Sequence, residues 1–393
     1  MSAMMSKGHD STVDLTELIE IATEGLVPMY DRNARLFCDR LVRTRHGLQA
    51  RSISRRYTMM TVLGLHRLQQ SGTRSPIGIE AVIIRILDEI DSITNVGDLG
   101  LLLWLLATCA PSRLEAIYHS LHLETAVARY LDATQFQTMQ LSWFLTGLSY
   151  AILSTDRRHP EITDIAADTY HALISNQTSK GLFHHQTAHP SLPAALRPRV
   201  ATFADQIYPI YALIAFYRAT NQSAALAAAA RCANALCPLQ GPLGQWWWHY
   251  LPVSGTVCSL YPVYSVHQHG MAPMALFALS EYLDSDFIKR INSGLSWLYG
   301  NNELGTNLID SQARIIWRCI GPARATRYLS DLFCILFKQC LQPRHTALSI
   351  TLHCRPYELG WLLYALCPRP SCISGSAPFN DKRQVRALTC PNA

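Results

Sequence analysis

Charge is scarce in this chain, and so are the short motifs that name a chemistry. Charged residues make up 16% of the 393 positions, against 49% hydrophobic residues, and the net charge is +6. That balance excludes a disordered chain and describes a globular protein with much buried surface. The longest apolar run, Leu99 to Pro111, falls short of the roughly 20 residues that cross a bilayer and reads as a buried helix. No two of the 12 cysteines form a CxxC pair; Cys232 and Cys237, like Cys367 and Cys372, are five apart, so no zinc or redox pattern is present. HExxH is absent as well, and no metal or cofactor is expected. The amino terminus lacks a charged stretch followed by an apolar core, so a secretory signal is not visible. The expectation is a cytoplasmic protein with reduced thiols, in which the sequons at Asn176 and Asn221 carry no weight.

What charge there is clusters. Arg32, Arg35, Arg40, Arg43, Arg45, Arg51, Arg55 and Arg56 crowd one short region. Three readings fit: a solvated arginine-rich hairpin, a nucleic-acid footprint, or a contact surface for an acidic glycan, since guanidinium matches carboxylate geometry. Of these the solvated hairpin is expected, and a nucleic-acid partner is not.

Helical periodicity dominates the rest. A first helix begins after Ser11 or Thr12, with Leu15, Leu18, Ile19, Ile21 and Ala22 on one face. Leu36 to Ser54 loses that period and reads as a β-hairpin turning at His46-Gly47. Helices are expected near 57–71, 77–92, 97–109, 112–131, 136–154, 160–175, 201–219, 222–236, 272–283, 286–299, 311–321, 323–341 and 357–366, with a weak strand at 347–353. About a dozen helices with almost no strand signal define an all-α protein. Short and long connections alternate, which suggests helical hairpins arranged as an α/α toroid around a central cavity. A solenoid would show a fixed repeat, and none is present. Residues 1–11 and 367–393 read as disordered, leaving one toroid domain over 12–366.

The loop from Gly241 to Pro273 is the richest segment, with three consecutive tryptophans, three tyrosines and three histidines. Loops this long inside a compact domain are usually functional. Trp246, Trp247 and His249 are expected to form a sugar-stacking wall, with Tyr250, Tyr261, Tyr264 and Gln268 beside it. His267 and His269, read as part of an extended segment just before a helix, are candidates for acid-base work or hydroxyl binding, or for bonding to backbone. Asp205 opens an otherwise apolar helix, where it either serves the helix dipole or projects into the cavity. Glu303, in the turn-rich YGNNELGTNLID, is a candidate acid or a solvated loop residue. Asp310 is expected to cap the helix after it. Asp98 sits between two glycines before a buried helix. Arg355, Tyr357 and Glu358 form another loop-to-helix junction, with Arg355 suited to clamp a carboxylate, and Arg56 lies at a third. These polar groups recur at helix starts, and in a closed ring such starts converge on one mouth.

On hairpin rhythm over residues 57–366, and on the WWWHY and YSVHQHG loops, the chain resembles the α/α-toroid group of six-hairpin glycosidases, sugar epimerases, polysaccharide lyases and isoprenoid cyclases. For the sugar-active families the resemblance implies paired acids and aromatic platforms. The DxDD of class II terpene cyclases is missing, since Asp284-Ser285-Asp286 lacks the last acid, as is the zinc set of lanthionine cyclases. The expected function is glycosidic bond cleavage on a sugar or oligosaccharide, with Asp205 and Glu303 as acid and base. Alternatives are a lyase or C5-epimerase with His267, His269 or Tyr264 as base and Arg355 or Arg56 neutralising the acid, an isoprenoid cyclase, and a non-catalytic binding protein.

Overall fold

The computed structural model describes residues 13–121, 125, 136–155, 159–186, 200–284, 287–322 and 348–368. Local chemistry sets the helix starts. Asp14 accepts from the amides of Thr16 and Glu17 to open α1 (Leu15–Gly25). Ser54 caps α2 (Arg55–Gln70) through the Tyr57 amide, and Asn95 caps α4 (Val96–Cys109) through the Asp98 amide. In α12 (Pro356–Leu366) proline stands in the first turn and the Glu358 carboxylate accepts from the Arg355 amide.

Among the described residues, six helices touch in cyclic order: α2, α4, α6 (Thr138–Ser154), α8 (Ala204–Thr220), α10 (Ala272–Ser280) and α12, which returns to α2. Each carries an outer companion. These are α3 (Ile79–Leu87) on α2, α5 (Pro111–Ile117) on α4, α7 (Pro160–Ser175) on α6, α9 (Ser223–Leu236) on α8 and α11 (Phe287–Leu298) on α10. The first helix, α1, covers the last, α12, and closes the outer layer. The fold is the expected α/α toroid. Inner helices are buried on nearly every side, as a helix must be when it faces both a lumen and an outer layer.

Two glycine crossings bring inner helices together. A Cβ on Gly64 of α2 would lie 2.1 Å from the Gly360 carbonyl of α12, and one on Gly147 of α6 would lie 2.1 Å from the Gly100 carbonyl of α4. The lumen between is filled toward the helix C-termini. Trp104 stacks on Tyr211 at 5.3 Å and on Trp361 at 5.5 Å. The hydroxyls of Tyr150, Tyr211 and Tyr364 bond to one another at 2.7–3.1 Å.

Small sheets decorate the other end. Strand β2 (Leu36–Thr44) pairs with β1 (Tyr30–Asp31), β3 (Gly47–Ile53) and β12 (His353–Cys354). β4 (Ala201–Thr202), β5 (His249–Leu251) and β6 (Thr256–Ser259) form a second sheet, and β7 (Val263–Tyr264), β10 (Cys319–Pro322) and β11 (Leu348–Thr351) a third. β8 (Ile309–Asp310) pairs with β9 (Ile315–Ile316).

Several expectations change. The helix expected at 311–321 is a pair of strands: Arg314 takes a positive φ of 52° in the turn after Asp310, and β-branched Ile315, Ile316 and Ile320 prefer the pleated backbone. Asp310 therefore caps no helix; it accepts from the Ala313 amide within that turn and pairs with Arg43 at 2.5 Å. The helix expected at 77–92 stops at Leu87, and α5 stops at Ile117, each followed by a tighter helical turn; residues 122–124 and 126–131 of the helix expected at 112–131 lie outside the described residues. The hairpin tip is Arg45-His46, one residue earlier than expected, because Thr44 pairs with Gly47. The helix expected at 323–341 and the two expected disordered ends lie outside the described residues, apart from Cys367 and residue 368. Among the described residues no helix is long and apolar enough to cross a membrane.

The crossings give a direct test. Gly147→Ala forces a methyl against backbone, and overpacking of this kind costs about 1–3 kcal/mol. The urea midpoint should fall accordingly, while Gly78→Ala, with nothing within 4 Å of the added Cβ, should leave it unchanged.

Candidate functional site

The inner helices place their N-terminal residues around one cavity of about 210 Å³. Helix α2 contributes Arg56, Tyr57 and Met60; α6 contributes Met139 and Trp143; α8 contributes Ala204 and Tyr208; Met271 and Tyr357 come from the entries to α10 and α12. Loops add Trp248, Tyr264, Val266, His267, Arg318 and Arg355. The size is below the roughly 300–1,000 Å³ of drug-sized pockets, so one ring-sized group fits rather than a long chain.

Among the described residues, three guanidinium groups and no carboxylate line this space. Two of the three are bracketed from behind. Arg56 makes a two-pronged pair with Asp98, at 2.5 and 3.0 Å, and lies over the Trp143 ring. Arg318 pairs with buried Glu358 and sits 4.8 Å over the Tyr264 ring. Burial pushes the Glu358 carboxyl up, opposed by the Arg318 charge, and Glu358 with its tyrosine neighbours holds the Arg318 guanidinium firmly charged against burial. Arg355 differs. It donates to the Tyr57 hydroxyl and lies 5.3 Å over that ring, but among the described residues it has no carboxylate partner, and its buried Nε bonds to nothing.

The aromatic wall is not the one expected. Trp248, the third of the triplet, lines the cavity and stacks on His267 at 5.3 Å. Trp246 is buried against Phe203, and Trp247 packs edge-on to Tyr261. Successive residues of an extended segment alternate sides, so the triplet cannot present all its rings to one space. His249 bonds through Nδ1 to the Ser259 hydroxyl, Tyr250 is fully buried, and Gln268 links the Trp246 amide to the Tyr264 carbonyl.

The histidines lie not in an extended segment but in a π-helical turn, His267 to Met271, that runs into α10. Two-residue spacing there sends them different ways: His267 reaches the cavity, whereas His269 is fully buried with neither ring nitrogen bonded. Burial drives both imidazoles down to about 3. His267 Nδ1 faces the Trp246 carbonyl at 3.4 Å, which places its proton there and leaves Nε2 as an acceptor.

Asp205 is fully buried next to cavity-lining Ala204. Its Oδ2 accepts from the Thr202 amide and hydroxyl and faces His185 Nδ1 at 2.9 Å, while its buried Oδ1 has no partner. The His185 carbonyl accepts from the Thr138 amide, next to cavity-lining Met139. Glu303 is elsewhere. It accepts from Gln245 and from the Trp297 indole, bracing the aromatic loop against α11, and does not line the cavity. Among the described residues no group of three His, Cys, Asp or Glu side chains is arranged to hold a metal ion.

Sequence reasoning missed Trp143, Trp248, Arg318 and His185, while Tyr208, read beside Asp205, does line the cavity. Trp143 follows Met139 by four residues, one helical turn, as Tyr208 follows Ala204, and that spacing was the available signal. Arg318 was hidden by the mistaken helix at 311–321.

No family model matches the sequence, and no curated protein does. Solved structures do match, over most of the chain. A possible member of the GH105 family from Salmonella enterica serovar Paratyphi A superposes with a TM-score of 0.56 at 15% identity, covering 92% of this chain and 95% of the other. The unsaturated glucuronyl hydrolase of Streptococcus agalactiae gives 0.56 at 13%, covering 93% and 92%. The unsaturated glucuronyl hydrolase of Bacillus sp. GL1, described as responsible for the degradation of glycosaminoglycan, gives 0.53 at 12%, covering 90% and 94%. At such identities the likeness is one of fold.

The neutral histidines set an acid limit. Their folded pKa, about 3, lies below the 6.5 of a free imidazole, so the unfolded chain binds more protons between these values and stability falls as pH drops through that window. Each site accounts for about 1.4 kcal/mol per pH unit there. Urea midpoints should decline steadily from pH 6.5 to pH 4, and His269→Phe should shallow that decline.

Proposed function

We propose that the protein is a glycoside hydrolase acting on a sugar that carries a carboxylate, with that sugar ring in the cavity. The observation that carries this reading is Arg355: a guanidinium with an unbonded buried nitrogen, beside Arg56 and Arg318, in an aromatic space lined by no carboxylate among the described residues. A buried donor without a partner is costly, and a planar carboxylate satisfies it in two-pronged geometry. Trp248 offers a flat face to the ring, and His267 Nε2 accepts from a hydroxyl. The glucuronyl unit in the names of the fold neighbours bears such a carboxylate, which agrees with this reading.

Cleavage needs a proton for the leaving oxygen and a group that directs water. Asp205 is the candidate for the first, through Oδ1, with His185 and Thr202 fixing Oδ2. Glu303 does not line the cavity and is bonded to Gln245 and Trp297; Asp98, although it holds Arg56 through both oxygens, stands one contact behind the lining and is the candidate for the second carboxylate. Isoprenoid cyclisation suits the site poorly, because three guanidinium charges oppose a carbocation. Elimination or epimerisation next to the carboxylate is the second reading; it draws on Tyr264 and His267 standing in the lining beside Arg318 and Arg355.

Turnover of glucuronides and of unsaturated glucuronyl disaccharides, followed by release of the free sugar, tests the proposal. Arg355→Gln should raise KM by roughly tenfold to a hundredfold, the worth of one hydrogen bond to a charged group. Asp205→Asn should abolish turnover while leaving ligand-induced thermal stabilisation in place. Failure of every carboxylated sugar to bind or turn over would sink the hydrolase reading; a new conjugated double bond in the product would replace it with elimination.

A further inference from the structure

The arginine cluster is not used up by the fold. Of its eight members, Arg55 pairs with Glu89, Arg56 with Asp98, Arg43 with Asp310 and Arg40, more loosely at 3.6 Å, with Asp39. Arg32, Arg35, Arg45 and Arg51 are exposed and have no carboxylate partner among the described residues. Arg45 and Arg51 only touch His46 and Gln49. Arg51 also stands directly opposite Arg40 across the β2–β3 pair. Facing like charges destabilise a hairpin, so an anion between them would relieve a cost the free protein bears.

These charges are continuous with the cavity. His353 of β12 pairs with Val42 of β2, two residues before cavity-lining Arg355. Burial lowers its pKa to about 4, and Arg318, Arg355 and Arg40 push the same way, so hairpin and cavity cations meet around one imidazole. From the Arg40–Arg51 position the strands run on to the Arg45-His46 tip, roughly 17 Å further at about 3.4 Å per residue.

We infer that the β2–β3 ribbon, through Arg40, Arg51 and Arg45, forms an outer subsite for the continuation of an acidic glycan whose end sugar occupies the cavity. This rests on the carboxylated-sugar reading and extends it from one ring to a polyanionic chain. Single-stranded nucleic acid is the poorer occupant. Such binding relies on aromatic platforms for the bases, and the one aromatic residue of Leu36–Ile53, Phe37, is buried.

Calorimetry with glucuronate oligosaccharides of one, two and six units tests the inference, using the full chain, Arg45→Gln/Arg51→Gln and Arg355→Gln. The six-unit chain should bind the wild type about tenfold tighter than the two-unit chain at low salt, and lose that margin as salt rises. The hairpin double variant should bring the six-unit chain down to the two-unit affinity and leave one- and two-unit binding unchanged. Arg355→Gln should weaken all lengths alike. If short uronates bind but the six-unit chain gains nothing, or if the double variant keeps the gain, the outer subsite is wrong and the cavity reading stands. If no length binds, both fall. A single-stranded DNA of matched charge that binds at least as tightly, with the same loss in the double variant, would assign the ribbon to nucleic acid instead.

Discussion

The close crossing of inner helices over paired glycines is the constraint on which the remaining structure rests. Where Gly64 meets Gly360, backbone touches backbone, and the last helix is seated against α2 with no side chain between. That contact sets Arg355 and Tyr357 beside Arg56 and Tyr57, residues some 300 positions apart in the chain. The Gly100–Gly147 crossing does the same for the next pair of helices, and it sets the distance between Asp98 with its arginine and the Met139–Trp143 wall. A ring drawn this tight has little lumen to spare, which is why large aromatic rings suffice to fill it below the cavity.

The electrostatics follow from the same convergence. Inner helices present their N-termini at the cavity, and the positive ends of their dipoles point there. Three arginines add to that field. Carboxylates nearby serve as brackets: Asp98 holds Arg56, and Glu358 holds Arg318 while capping α12. Each bracket removes conformational freedom from a guanidinium without placing negative charge in the lining. Arg355 is held by a phenol instead, so its charge is the least compensated in the site.

Much of this was legible in the residues. Helical period, short connections and the lack of a repeat were enough for a toroid, because amphipathic and fully apolar helices differ in pattern. Of the polar residues read at helix starts, Arg56 and Arg355 line the cavity, while Asp98 and Asp205 stand beside lining residues. The misses have physical causes. Which tryptophan of three faces the cavity depends on strand register, set here by β4 and β5, and composition carries no register. Glu303 resembles a loop acid in sequence, but its partners Gln245 and Trp297 come from other segments. The strands at 315–322 were obscured because short apolar runs do not distinguish strand from helix. His185 gave no periodic signal at all, and only the fold brings it to Asp205.

The filled lumen has one more consequence. Among the described residues, Trp104, Trp361 and the hydrogen-bonded triangle of tyrosines stop the hollow at mid-depth, so it has the form of a pouch and not a tunnel. Whatever enters must leave by the way it came. For the acidic glycan proposed above, such a pouch would admit a terminus alone, so trimming from the tip, and not threading, is the mode of action that reading implies.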